Sequence, residues 1–197
     1  MMPALAPLPY ATEASNDSGQ EDEDDAGHGS HSTQSAHSVR RALRRALGQF
    51  ATGVAVVTAT GSDGRPVGVT INSLASVSLS PPLLLWSLAL GSGSLPAFRA
   101  APCYAINVLA HTQQALCERF ATSGIDRFQG VTLSPGPCGT ALIDNALACF
   151  VCRPRSARKV GDHVLFIAEI VSYRMNRGEP LVFHDGGFAG LNAACPQ

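Results

Sequence analysis

"GVAVVTATGSDGRPVGVTINSLASVSLSPPLLLWSL" (residues 53–88) decides the class of fold. Two runs rich in Val, Thr and Ala flank Gly61-Ser62-Asp63-Gly64. β-Branched residues suit a pleated, half-buried surface, and the Gly-Asp cluster suits a tight reversal, so the pair reads as a hairpin. An apolar strand over 83–90 follows Pro81-Pro82. Between hairpin and strand lies a stretch crowded with small hydroxyl and amide groups, Thr70, Asn72, Ser73, Ser76 and Ser78, just ahead of the only Trp, Trp86. Capping of an irregular turn is one reading of that crowding.

Outward from this stretch, strands continue to dominate. "CYAINVLA" reads as a strand, and "ALACFVCRPRSARKVGDHVLFIAEIVSYRM" as two long strands joined by a basic stretch and a Gly-Asp pair. "PLVFHDGGFAGL" closes with a short strand and a turn. Two short helices interrupt the series: one over 95–100, and one in "TQQALCERFAT" with Thr112 as its cap and Leu116 and Phe120 facing the core. Alternating βαβ units are missing, and neither GxGxxG nor GxxxxGK[ST] occurs, so a parallel, doubly wound nucleotide fold is not expected. The expected class is mainly β, an antiparallel barrel with short peripheral helices.

Ahead of the barrel, "SVRRALRRALGQF" (38–50) repeats Val39, Leu43 and Leu47 at helical spacing, with Ser38 as N-cap, and is expected to pack on the barrel itself. Residues 1–38 read as a disordered acidic tail, and 39–197 as the folded domain. The net charge of −1 over 197 residues hides a split. The tail carries seven acids and no Lys or Arg, leaving 14 basic against 8 acidic residues in the rest. That mild basicity suits a phosphate-bearing ligand, while the lack of a Lys/Arg run speaks against nucleic acid. No apolar stretch is long enough to span a bilayer and no signal peptide is evident, so a cytoplasmic protein is expected. The six cysteines are expected to be reduced thiols. Cys149-Phe150-Val151-Cys152 lacks both the turn residues and the second ligand pair of a metal knuckle, and no metal site is expected.

Side-chain chemistry is scarce. There is no GxSxG elbow, and His111, His163 and His184 lack metal-ligand spacing. The few carboxylates fall at turns, so no acid–base pair stands out. If the chain is an enzyme, a cofactor supplies the chemistry.

Six segments in order, "FATGVAVVTA", "GVTINSLASVSLSPPLLLWSL", "SGSLPAFRAAPCYAINVLA", "LCERFA…DRF", "KVGDHVLFIAEI" and "PLVFHDGGFAGL", resemble the flavin reductase family that serves two-component flavin-dependent monooxygenases. The resemblance covers about 48–191. It implies a homodimeric split β-barrel of Greek-key, FMN-binding type, binding FMN or FAD and taking hydride from NADH or NADPH. The reduced flavin would diffuse to a separate oxygenase component.

The resemblance also implies site residues. Thr70, Asn72, Ser73, Leu74 and Ala75 would border the flavin ring, partly through main-chain N–H groups, with Ser87 and Leu88 on the next strand, and Phe98, also binding the flavin. Ser92, Gly93 and Ser94 precede a helix and would hold the flavin phosphate. No Lys or Arg sits in that loop, leaving Arg127 and Arg155 as candidate countercharges. Gly161 and His163 of "GDH" would sit at the mouth of the groove, His163 being the catalytic candidate that positions the nicotinamide. Phe188 would cover the same groove, or serve as a core residue. Two other readings remain: a flavoprotein with tightly bound flavin reducing another acceptor, and a non-catalytic flavin-binding module.

Overall fold

The computed structural model describes residues 29–191, with side chains from residue 37. The chain divides into two compact units, Met1–Val39 and Arg40–Gln197. Residues 1–28 of the expected tail lie outside the described residues, as does Cys195.

The elements, in order, are α1 (Gly29–Gly48), β1 (Thr52–Gly53), β2 (Ala55–Thr60), β3 (Pro66–Ile71), β4 (Ala75–Leu79), β5 (Pro82–Ala89), α2 (Leu95–Ala100), β6 (Tyr104–Val108) and α3 (Gln114–Ala121). They continue with β7 (Leu133–Pro135), β8 (Ala141–Ile143), β9 (Ala148–Val160), β10 (His163–Met175), β11 (Val182–His184) and β12 (Gly187–Ala189). Seven strands form one antiparallel sheet in the order β3-β2-β6-β9-β10-β5-β4.

That order makes β3 and β4 the two opposite edges, yet only residues 72–74 separate them in sequence. Four Cα steps, from Ile71 to Ala75, reach about 14 Å at most. The sheet must therefore curl until its edges nearly meet, while β3 and β4 share no ladder. The result is the expected split barrel, open along one seam.

One face of the curled sheet buries the main core. Trp86 stacks on Phe166 at 4.3 Å and meets Phe98 and Tyr104 edge-on, and its indole N–H donates to the Tyr104 hydroxyl at 3.0 Å. A second cluster, with Val54, Val56, Leu109, Phe120, Ile143 and Leu181, packs α3 and the last hairpin against the barrel. Between the layers, buried Asn107 donates to the Val56 carbonyl and the Thr58 hydroxyl and accepts from the Ile143 N–H, so both ends of its amide are used.

Several local expectations are corrected. Helix α1 begins at Gly29, so residues 29–38 are helical and Ser38 is interior to the helix, not its cap. Its apolar stripe is not covered within Arg40–Gln197: Leu47 is 66% exposed and Phe50, just past the helix, 78%. Thr112 lies in a 3-10 turn (His111–Gln113), and the Gln113 side chain instead accepts the Ala110 N–H ahead of α3. The basic stretch expected to join two strands is the second half of β9 itself, and only Gly161-Asp162 turns the chain into β10. Gly161 there has φ +58, a conformation glycine adopts freely.

Cys149 and Cys152 enter different clusters on β9, the first with Val151 and Ala105, the second with Trp86 and Phe166. Two thiols committed to separate cores cannot share one ion.

Candidate functional site

The seam between β3 and β4 gathers most of the expected rim. At its centre, Asn72, Ser73 and Leu74 carry main-chain N–H groups that find no acceptor among the described residues. Asn72 is exposed, and Ser73 and Leu74 are half-buried. Free N–H groups on a groove floor are what a ligand with carbonyl and ring-nitrogen acceptors requires.

The hydroxyls have other work. The Thr70 hydroxyl donates to the Cys117 carbonyl at 2.7 Å, tying β3 to α3. Ser73 Oγ accepts the Ser87 N–H at 3.0 Å and donates to the Ser87 carbonyl at 3.2 Å, tying the seam to β5. Both side chains hold the backbone in place, leaving the N–H groups of the link as the presented surface.

Beside the link lies a largely apolar cavity of about 300 Å³, walled by Thr70, Asn72, Cys117, Glu118, Phe183 and Phe188 among others. Phe188 meets Phe183 edge-on at 5.6 Å across the β11–β12 hairpin and is half-buried, so it both packs and lines the opening. Cys117, Glu118 and Phe183 were not evident from the sequence. The spacing on α3 suggested its core side, but which turn would face β3 depends on the Thr70–Cys117 bond. The Cys117 thiol is pushed up chiefly by burial, then by the Glu118 charge, with the Thr70 hydroxyl opposing, so it stays protonated and is no nucleophile.

Farther along β5, Ser87 pairs with Leu165 and Ala89 with His163. His163 therefore stands two residues, roughly 7 Å, along the strand direction from the Ser73–Ser87 tie. Its ring is 45% exposed, and Nδ1 lies 2.6 Å from Asp162 Oδ1. The Asp162 carboxyl is held below its usual range by that hydrogen bond and by the imidazole charge, with Arg40 adding a little. An exposed ring oriented through one nitrogen is suited to positioning a flat ligand.

Leu88 and Phe98 belong to the main core. Phe98 exposes nothing, so it backs the wall rather than touching a ligand. The loop expected to hold a phosphate also differs from expectation. Helix α2 is a six-residue segment with Pro in its first turn, and the Ser94 hydroxyl caps nothing. It accepts instead from Arg127 Nη1 at 3.3 Å. The Ser92 hydroxyl accepts the Ser94 N–H at 3.4 Å. Of the two arginine candidates, Arg155 is already paired with Glu169 across β9 and β10, whereas Arg127 meets only neutral acceptors among the described residues.

Among the described residues, no group of three or more His, Cys, Asp or Glu is placed to hold a metal, and no helix is long and apolar enough to cross a membrane. An apolar pocket next to unspent N–H groups, with an exposed imidazole along the strand and no nucleophile, fits an aromatic cofactor that brings its own reactivity.

Comparison with known proteins agrees. The chain is 44% identical over 148 residues to the NADH-dependent FMN reductase SmoA of Agrobacterium fabrum, covering 75% of this chain and 84% of that protein. It is 37% identical to the reductase subunit of a flavin-dependent monooxygenase from Rhodococcus jostii, covering 77% of each. An NADH:FAD oxidoreductase of Streptomyces globisporus, solved with NAD and FAD fragments, superposes with a TM-score of 0.76 at 34% identity, covering 80% of this chain and 95% of that one. Residues 47–192 match the flavin reductase like domain, and with that match over most of its length the chain belongs to the flavin reductase family.

Proposed function

We propose that this chain takes hydride from NADH or NADPH onto FMN or FAD and passes the reduced flavin to a separate oxygenase component. The observation that carries the reading is the run of free N–H groups at Asn72, Ser73 and Leu74, set at the seam beside the apolar cavity. The flavin, when bound, supplies the redox chemistry. The chain's own residues bind and orient. The link 72–74 offers donors to a polar ring edge, Phe188 and Phe183 give an apolar wall, and small side chains at Ser73 and Ala75 let the backbone come close. His163, steadied by Asp162, positions the nicotinamide and moves no proton. The rate enhancement on this reading comes from holding two rings face to face. The names of relatives support both halves: an NADH-dependent FMN reductase and a monooxygenase reductase subunit.

The working form on this reading is a homodimer, supported by apolar side chains left exposed on α1 and β10. The cytoplasm, which holds NADH and NADPH, is the expected compartment.

The test mixes purified protein with NADH or NADPH and with FMN, FAD or riboflavin, and follows the nicotinamide absorbance. Flavin-dependent loss of that band is the expected result. No loss with any pairing overturns the reading.

A further inference from the structure

We propose that Cys103 and Cys138 are a peroxide-sensitive thiol pair, which closes to a disulfide and clasps the β7–β8 turn to the start of β6.

Strand register brings the two residues together. Thr58 pairs with Ala105, and Ala105 with Val151, across β2, β6 and β9. Side chains alternate along strands, so the next row on that face holds Thr60, Cys103 and Arg153. The β7–β8 hairpin covers this face. Ala105 and Val151 pack with Leu142 of β8. The Thr58 hydroxyl donates to the Ala141 carbonyl at 2.6 Å, and the Thr60 hydroxyl to the Gly139 carbonyl at 3.3 Å. Cys138 is thus held, through its neighbour Gly139, over the row that contains Cys103. The two thiols interact there. Burial is the first cause raising the Cys103 thiol, the hydrogen bond and charge of Cys138 come next, and Arg153 opposes them.

The turn that carries Cys138 is firmly built. The Gly136 N–H donates to the Thr140 carbonyl at 2.7 Å, and the Thr140 N–H and hydroxyl both donate to the Pro137 carbonyl, at 3.2 and 2.8 Å. Within it Cys138 has φ +58 and Gly139 φ +70. Left-handed backbone is uncommon for a residue with a side chain, and a residue held there by its surroundings points to a local role.

Exposure divides the labour. Cys138 is exposed and Cys103 buried, so hydrogen peroxide reaches Cys138 first. The Cys138 sulfur takes one oxygen as the O–O bond breaks, giving a sulfenic acid and a water. The Cys103 sulfur then attacks the Cys138 sulfur. The S–S bond forms, the S–O bond breaks, and hydroxide leaves with the Cys103 proton as a second water. The thiol pair gives up two electrons and two protons, and the peroxide takes them. Arg153, beside Cys103, favours the thiolate that attacks. On the reductase reading, reduced flavin that meets dioxygen instead of its acceptor supplies the peroxide at the protein itself. Cys152 also feels the Cys103 charge, but it is fully buried with Trp86 and Phe166, where a thiol is inert.

The full chain, reduced and then freed of reductant, is treated with a small excess of hydrogen peroxide. It is quenched with N-ethylmaleimide in urea, digested without reductant and mapped by mass spectrometry. The expected product is a pair of peptides joined through Cys103 and Cys138, lighter by two hydrogens than the free thiols and separated by dithiothreitol. Cys103→Ser leaves the Cys138 sulfenic acid without its partner, so dimedone should label Cys138 several-fold more in that variant than in the unmodified chain. Cys138→Ser alters an exposed side chain and should keep Cys103 reduced at the same dose of peroxide. Cys138 carried on to sulfinic acid while Cys103 stays a free thiol overturns the proposal. So does a disulfide from Cys138 to any other cysteine, Cys195 or one of a second chain included, or one between Cys103 and Cys152. Because peroxide is added directly, the outcome is independent of flavin reduction, which the nicotinamide absorbance reports separately.

Discussion

Ser73 Oγ closes a two-bond ring with the main chain of Ser87, accepting its N–H and donating to its carbonyl. The last ladder pair between β4 and β5 is Ala75 with Leu85. Two residues farther on, where a main-chain pair would have continued the ladder, a serine side chain takes its place. That substitution frees the N–H groups of residues 72–74 from the sheet while still anchoring the link. Ser73→Ala removes both bonds and leaves two half-buried main-chain groups unpaired, a cost of about 1–3 kcal/mol. The expected outcome is a lower unfolding midpoint in urea together with weaker FMN binding. A stability loss with FMN affinity unchanged would show that the tie does not shape the ligand rim.

His163→Ala separates the two ligands. The ring is exposed and makes its one described hydrogen bond to Asp162, so the fold should tolerate its loss within about 0.5 kcal/mol. KM for NADH should rise several-fold while FMN affinity stays near that of the unmodified chain. Asp162→Asn should have a smaller effect in the same direction. The Asp162 carboxyl is held below its usual range by His163. Its contribution is therefore fully present above the ordinary carboxylate pKa and is lost only as pH falls through the lowered folded-state value. Steady-state KM for NADH across neutral pH should show no titration from Asp162.

The barrel was legible because its signals are local and repeated: the Gly61–Gly64 reversal, the alternating strands and the Gly161-Asp162 turn each fix a pairing with a near neighbour. The seam was legible only in composition. That Ser73 spends its hydroxyl on Ser87, and Thr70 on the Cys117 carbonyl 47 residues away, depends on how the sheet curls, which no short window of sequence encodes. Arg127 shows the same limit. In sequence it is one of several arginines, and the absence of a countercharge appears only when Gly68, Thr122 and Ser94 surround it. The start of α1 is hidden for a different reason: residues 29–37 lack the apolar repeat by which a helix is recognised.

Gly68 tests how closely α3 must approach β3. A Cβ at this position would lie 2.5 Å from Cε1 and 2.7 Å from Cδ1 of Phe120, a fully buried ring with no room to retreat. Gly68→Ala should cost about 1–3 kcal/mol by overpacking. Because the Gly68 carbonyl also holds Arg127, a candidate countercharge for the flavin phosphate, FMN affinity should fall with it. A variant as stable as the parent in urea unfolding would mean that α3 shifts freely away from the barrel.

Thiol reactivity should single out Cys138. It is exposed on the turn between β7 and β8, whereas Cys103, Cys117, Cys149 and Cys152 are buried. Burial is the leading cause raising all four, and Cys152 is pushed up to about 12. Brief treatment of the native protein with iodoacetamide at about pH 8, near the ordinary thiol pKa, followed by peptide mapping, should modify Cys138 well ahead of those four. Alkylation of Cys117 at a comparable rate would show that the cavity beside Thr70 opens to solvent more than its packing allows. Bound FMN should slow any reaction at Cys117 and leave Cys138 unaffected.

The exposed apolar face of β10 is the last point open to a direct test. Beyond the irregularity at Val171, Tyr173 and Met175 alternate along the strand, so both project from the same side, and they remain 68% and 74% exposed. On the homodimer reading, this strip is the candidate interface. A second copy of the chain is the occupant that the proposed homodimer supplies, and two such strips meeting would satisfy twofold symmetry. Tyr173→Glu combined with Met175→Glu places two charges on the strip without touching the Trp86 core. Light scattering after gel filtration should show the unmodified chain at twice its 20.5 kDa mass and the double variant near the monomer mass. Flavin binding should weaken in the variant if the partner's surface completes the groove, and persist if each seam is self-sufficient. A double variant that elutes as the same dimer places the interface elsewhere, with the exposed Leu47 and Phe50 as the next strip to change.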